Sequence, residues 1–424
     1  MEVIVACLVI AVCLLVGVPI AFSIGLGSVY YFVVSAKPIM MIPQKMFTTV
    51  DNFTLLAVPL FILAGNIMNT GGITQRLFNF ARTCVGHITG GLGHVCVLAS
   101  MIFAGMSGSA TADAVGLGSI EIPAMEKEGY DKAFSAAIVL GASTIGPIIP
   151  PSIIMVIYGV TAGVSVGALF VAGIIPGLIM GGALMVGVYL ISKKRKYPSY
   201  PRSTFRQFFR ATVQAFPVLL TPVIIIGGIY SGYFTPTEAA MIAVVYAVIL
   251  GFFYRQMSFR TLWHILRETS VTVGVIMFIV GITGAFAWWL SLEKIPQIFT
   301  EAIYGVTQDR LMILILIMII ILVEGCFLDA TPIVLIMVPI LMPLLKILDV
   351  DLVYFGILIS VNTMIGLTTP PVGVCLFGVS AIAKLSIEKI VMAYLPFLAI
   401  LVAVLFLLLL FPGLSTWLPN LLFK

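Results

Sequence analysis

The sequence predicts an all-α polytopic membrane protein built as an inverted repeat. Three observations carry that reading: a composition no soluble fold tolerates, two apolar hairpins with polar tips, and two broken helices 220 residues apart. Of 424 residues, 61% are hydrophobic and 9% charged, and the mean hydropathy is +1.20. A soluble domain carries about 25% charged residues. The formal charge of +5 would suit a nucleic-acid binder only if its cations clustered on a water-facing surface. Here they sit in short loops between apolar runs, where they read as topology signals, so no nucleic acid is expected and membrane lipid is. The six cysteines contain no CxxC pair and read as small hydrophobes, not as a disulfide framework or a zinc site.

A span needs about 20 apolar residues. The run 3–34, interrupted at 17–19, has no charge. It exceeds the about 7–15 residues of a signal-peptide core and reads as a retained span. Further spans fall at 53–68, 133–160 (broken in its middle), 166–191, 213–229, 238–254, 271–290, 352–382 (also broken) and 390–411. Residues 92–125 and 311–346 are apolar arms around polar tips at 107–113 and 324–331, the pattern of re-entrant hairpins. Residues 192–210 hold Lys193, Lys194, Arg195, Lys196, Arg202, Arg206 and Arg210 without an acid. This linker separates a first half, 1–191, from a second, 211–424, and is cytoplasmic by the positive-inside rule. The expected orientation has the N-terminus cytoplasmic and the C-terminus periplasmic.

A shift of 220 residues superimposes Gly105 on Gly325, Ala110 on Ala330, Thr111 on Thr331, Pro123 on Pro343, Gly146 on Gly366 and Pro150-Pro151 on Pro370-Pro371. An odd number of spans separates corresponding points, so the halves are inverted. Inverted repeats with paired Gly/Pro-broken helices point to a secondary transporter with a site near the midplane.

The chemistry follows from the breaks, Ser143-Thr-Ile-Gly-Pro-Ile-Ile-Pro-Pro-Ser152 and Asn362-Thr-Met-Ile-Gly-Leu-Thr-Thr-Pro-Pro-Val-Gly373. Adjacent prolines remove backbone donors and free the preceding carbonyls. Such backbone survives at membrane depth only when buried or lining a wet cavity, and with nearby hydroxyls it suits a hard monovalent cation. Two such cation sites are expected, one per half: Ser107, Gly108, Gly146, Ile149 and Pro151, then Gly325, Gly366, Thr368, Thr369 and Val372. The glycines of the tips, Gly105, Gly108 and Gly325, read as turn residues. Half-helices starting at the tips aim positive dipole ends at an anionic group. Substrate contacts are expected from Ser109, Asp113, Ser152, Asp329 and Thr331, with N-capping the simpler role for the two aspartates. Thr235-Pro-Thr-Glu238 reads as a capping box. Trp263, Trp288, Trp289 and Trp417 read as interfacial anchors.

These residues resemble the large membrane subunit of tripartite ATP-independent periplasmic (TRAP) transporters. The resemblance rests on Gly105-Met-Ser-Gly-Ser-Ala-Thr-Ala-Asp-Ala-Val-Gly-Leu-Gly-Ser119, Ile145-Gly-Pro-Ile-Ile-Pro-Pro-Ser152, Thr235-Pro-Thr-Glu-Ala239 and Gly366-Leu-Thr-Thr-Pro-Pro-Val-Gly373, and spans nearly the whole chain. It implies a sodium-driven elevator importer in a bacterial inner membrane. It also implies a small four-helix membrane subunit and a soluble periplasmic binding protein as partners, and a carboxylate substrate. Whole-chain resemblance leans to sialic acid, with a C4-dicarboxylate system as the alternative. An intramembrane serine hydrolase is the distant rival, since Gly105-Met-Ser107-Gly108 matches a short GxSG pattern. Its base would be His94, thirteen residues upstream on the same arm and about 20 Å away at 1.5 Å per residue. Proton transfer needs about 2.6–3.2 Å, so no enzyme is expected.

Overall fold

The computed structural model describes residues 2–70 and 73–422, and every regular element among the described residues is helical. The run 3–34 forms two helices, α1 (Glu2–Leu15) and α2 (Ile20–Val34), separated where Gly17 takes φ +90° and Pro19 precedes α2. They fold back on each other. Gly27 sits against Ile10 and the Ala6 carbonyl, and the Ser35 hydroxyl donates to Glu2 at 2.5 Å. The expected single interrupted span is therefore a hairpin. No charged residue marked its turn, which is why a purely apolar run concealed it.

α3 (Met41–Val50) and α4 (Ala57–Thr70) meet at a bend of 67°. After them come α5 (Ile73–Val85), the hairpin α6 (Gly91–Ser107), α7 (Ala110–Gly116) and α8 (Gly118–Lys127), the broken helix α9 (Lys132–Ser143) and α10 (Ile153–Ala162), and α11 (Val166–Arg195). The second half starts with α12 (Phe205–Tyr230), α13 (Pro236–Phe253) and α14 (Phe259–Leu292). It continues with α15 (Ile295–Val306), the hairpin α16 (Arg310–Gly325) and α17 (Ala330–Ile347), the broken helix α18 (Leu352–Gly366) and α19 (Val374–Ala383), then α20 (Ile387–Leu410) and α21 (Gly413–Leu422). The same shift that aligned the prolines carries α6 onto α16, α7 and α8 onto α17, and α9 and α10 onto α18 and α19. Six of the helices are long and apolar enough to cross a bilayer unaided, or seven when α3 and α4 count as one bent span.

Two clusters fix the faces of the molecule. At one, the Tyr31 hydroxyl donates to Glu293, Lys37 lies 2.8 Å from that hydroxyl, and Tyr31 stacks on Trp289 at 4.4 Å. The Tyr31 hydrogen bond, with help from Lys37, holds the Glu293 carboxyl below its ordinary range against a smaller opposing effect of burial. α12, α13 and α14 are joined by tight turns, so Glu293 lies opposite the basic linker, and so do Lys37, Ser35 and Glu2. The N-terminus was expected on the linker side. The folding back of α1 on α2 instead leaves Glu2 beside Ser35, on the face opposite the linker. Trp289, expected as an interfacial anchor, is fully buried and donates Nε1–H to Ser28 at 3.2 Å, whereas Trp263 and Trp417 are exposed.

At the opposite face the linker lies across the base of the first hairpin. Tyr197 stacks on Tyr130 at 4.4 Å, and the Gly91 N–H donates to the Pro198 carbonyl at 3.3 Å. The Tyr200 N–H donates to the Gly86 carbonyl at 2.9 Å and its hydroxyl to Glu128 at 2.8 Å. Arg82 covers the Tyr200 ring at 3.9 Å. Both ends of α6–α8 thus reach the same face, as a re-entrant hairpin requires.

α13 begins in the capping box expected from sequence. The Thr235 hydroxyl accepts from the Glu238 N–H at 3.3 Å, and Glu238 accepts from the Thr235 N–H at 2.8 Å. Thr235→Ala is expected to cost about 1 kcal/mol, with Thr235→Ser close to neutral. Thermal unfolding of the two variants side by side checks this.

Candidate functional site

In the first half α9 stops at Ser143 because the residues after it cannot stay helical. The Pro150–Pro151 bond is cis, and the chain crosses 144–152 in turns before Ser152 caps α10 by accepting from the Met155 N–H at 3.2 Å. The hairpin tip meets this break. Gly108 has φ +61°, and a Cβ there would stand 2.7 Å from the Pro151 carbonyl oxygen, so only glycine allows the approach. The Ser107 hydroxyl donates to Asp113 Oδ1. Asp113 is 1% exposed, its Oδ2 has no hydrogen-bond partner, and that oxygen faces Gly146, where any Cβ would collide with it. Ser107, Gly108, Gly146 and Pro151 are thereby gathered with Asp113. Ile149 lies in the same turn with its side chain packed on Gly177.

The second half repeats the construction with different side chains. Pro370–Pro371 is also cis, and the Val372 and Gly373 N–H groups donate to the Cys326 carbonyl at 3.1 and 3.2 Å. A Cβ on Gly325 would stand 2.9 Å from Gly366 Cα, so hairpin and broken helix touch backbone to backbone. The Thr369 hydroxyl donates to the Ile365 carbonyl at 2.7 Å, and the Thr368 hydroxyl lies 2.8 Å from both that carbonyl and the Tyr394 hydroxyl. Asn362 Nδ2 donates to the Met318 carbonyl at 2.6 Å, holding α18 against α16. Gly105 and Gly325 were expected to turn the chain. Both are helical instead and serve close packing: a Cβ on Gly105 would meet Pro222 at 2.9 Å.

Between the two tips and the walls of α4 and α14 lies a cavity of about 620 Å3. Ser109, Asp329 and Thr331 line it together, from tips 220 residues apart. Ser109 caps α7 by accepting from the Ala112 N–H at 3.4 Å, and Asp329 accepts from the Ala330 N–H at 2.9 Å while open to the cavity. Asp113 and Ser152 do not reach it. Asp113 is neither a cap nor a cavity residue, because α7 starts at Ala110 and carries its side chain under the tip towards Gly146. Sequence reasoning missed Asn66, Pro147 and Thr272, which also line the cavity. Asn66 had a signal, as an amide inside an apolar span.

No group of three His, Cys, Asp or Glu side chains among the described residues is arranged to hold a metal ion. A cation at either break must be held by carbonyls and hydroxyls, with the Asp113 carboxylate available in the first half alone, since Ile333 takes its place in the second. The hydrolase geometry is absent. Ser107 bonds Asp113, and His94 sits at the far end of the same helix.

Two inverted halves, paired hairpin tips and a shared cavity define a class: polytopic membrane transporters. The chain belongs to the family described as "Tripartite ATP-independent periplasmic transporter, DctM component", whose model matches residues 7–414. It is 43% identical over 411 residues to the sialic acid TRAP transporter large permease protein SiaM of Vibrio cholerae, covering 96% of each chain. It is 41% identical over 400 residues to the C4-dicarboxylate TRAP transporter large permease protein DctM of Pseudomonas aeruginosa, covering 94% of each. The sialic acid TRAP transporter permease protein SiaT of Haemophilus influenzae is 40% identical over 420 residues, 99% of this chain and 68% of that one. In fold it resembles the YdaH transporter of Alcanivorax borkumensis, with a TM-score of 0.68 and 13% identity over 88% of each chain. The protein is a transporter permease for organic acids, not an enzyme.

Proposed function

We propose that this chain is the large subunit of a sodium-driven importer of organic acids. It works with a small four-helix membrane subunit in a bacterial inner membrane and receives substrate from a periplasmic binding protein. The observation that carries the reading is the convergence of both hairpin tips on one cavity, each tip resting on the unwound backbone of its own half. The hairpins and broken helices move as one body against α1–α4 and α12–α14, in the manner of an elevator, with the arms α5 and α15 between them.

Sodium is cargo in this scheme. In the first half the ion sits among Ser107, Gly108, Gly146, Ile149 and Pro151, with Asp113 beneath. In the second it sits among Gly325, Gly366, Thr368, Thr369 and Val372. The organic acid occupies the cavity against Ser109, Asp329 and Thr331. An acid at that position repels a carboxylate and accepts hydrogen bonds from hydroxyl or amide groups, which favours a polyhydroxylated acid such as sialic acid over a small dicarboxylate. Moving one charge across 100 mV is worth about 2.3 kcal/mol, so two sodium ions with a monoanion make uptake electrogenic.

The test is uptake into proteoliposomes holding this chain and the small subunit, with binding protein outside. Uptake is expected to collapse when external sodium is replaced by choline, and to rise with an inside-negative potential. Equal rates in choline and sodium would exclude the coupling.

A further inference from the structure

The cavity wall contains the acid Asp329 and no lysine, arginine or histidine. An anion leaving it for the basic face must find its first positive charge outside. On the α14 side the wall includes Val271, Thr272 and Val275. Val271 also borders a second recess, of about 440 Å3, lined by Trp263, Leu266, Arg267, Ser270 and Val271. Val271 lines both spaces. Positions 263, 267, 271 and 275 fall four apart on one helix, so they form a single stripe. Arg267 lies one turn, a rise of about 6 Å, from Val271, towards the linker face.

The charge of Arg267 is available. The side chain is exposed and forms no ion pair among the described residues, while the adjacent Glu268 turns to His264 at 3.5 Å. The Ser270 hydroxyl donates to the Leu266 carbonyl at 2.8 Å and keeps its acceptor capacity. Trp263 is 72% exposed and offers a flat apolar face.

We propose that Trp263, Arg267 and Ser270 form a second, shallow subsite that takes the carboxylate of the organic acid as it leaves the cavity on the linker side. The inference rests on the importer reading above. A guanidinium pairs both oxygens of a carboxylate, Ser270 accepts from a substrate hydroxyl, and the indole covers the body of the molecule. Exposure keeps the pair weak. Weakness suits an exit station, because a tight site there would trap what it should release. The same charge concentrates anions at the mouth from the cytoplasmic side.

The experiment uses this chain with its small subunit in neutral phosphatidylcholine vesicles, with binding protein outside and N-acetylneuraminate and succinate as probes in counterflow. Arg267→Gln is expected to raise the half-saturating concentration on the linker side three- to tenfold. On the other face, where the binding protein delivers, it should stay unchanged. The difference should shrink at high salt, and Arg267→Lys should retain most of the wild-type behaviour. Ser270→Asp, which sets an anion beside Arg267, should reproduce the one-sided rise, and it carries the test should Arg267→Gln not assemble. An equal change on both faces, or none on either, overturns the proposal. So does an effect that appears only with anionic lipid in the vesicles, which would make Arg267 a headgroup contact. Wild-type vesicles that move neither acid overturn the importer reading for both of these acids, and the subsite proposal with it.

Discussion

Gly366→Ala is expected to abolish uptake and to lower stability by about 1–3 kcal/mol, the usual cost of overpacking a closed contact. A Cβ at that position would stand 2.6 Å from Gly325 Cα and 2.8 Å from its carbonyl carbon. Both are backbone atoms, so neither can rotate away. The second hairpin would have to separate from its broken helix, and the carbonyls of Gly325 and Gly366 would lose their common geometry. Gly325→Ala should behave alike. Gly182→Ala and Gly227→Ala are the controls, since nothing lies within 4 Å of a Cβ at either. Uptake and thermal unfolding of the four variants decide it. Wild-type transport by Gly366→Ala would show that the contact is incidental.

Asp329→Asn is expected to cut uptake by more than tenfold with little change in stability. Asn caps a helix about as well as Asp, so the bond to the Ala330 N–H survives. The lost charge and the lost second acceptor are felt only by what occupies the cavity. Asp329→Ala should lose the same transport plus about 1 kcal/mol of stability. If Asn transports normally while Ala loses stability and uptake together, Asp329 is a cap and nothing more. Ser109, its counterpart in the first half, shares the cavity without sharing the charge.

The architecture was legible because glycine and proline mark backbone, and backbone is what the two halves share. Pro150-Pro151 and Pro370-Pro371 announced both breaks and the shift between them, and that shift then placed α17 and α19 to within a residue. Side-chain direction was not legible. Asp113 stands in a polar tip, yet one turn of α7 decides that it faces Gly146 and not the cavity. Gly105 and Gly325 looked like turn residues because sequence does not show which neighbour is close. The reversal between α1 and α2 was not legible for a third reason: Gly17 and Pro19 marked an interruption, but the turn is apolar throughout, so nothing showed that the chain folds back there.

The linker across the first hairpin sets a length limit on motion. Its Tyr197–Tyr200 stretch is fastened to Gly86, Gly91, Glu128 and Tyr130, all at the base of that hairpin or at the end of its arm. The next helix, α12, starts at Phe205. Any travel of the hairpin relative to α12 must be absorbed by the few residues between. A fully extended chain covers about 3.3–3.6 Å per residue, so the leash from Tyr200 to Phe205 reaches about 18 Å at most. A stroke that needs a longer reach must first peel Tyr200 from Glu128 and Arg82. The linker that reports topology by its charge is thus also a tether of fixed length between the first hairpin and α12.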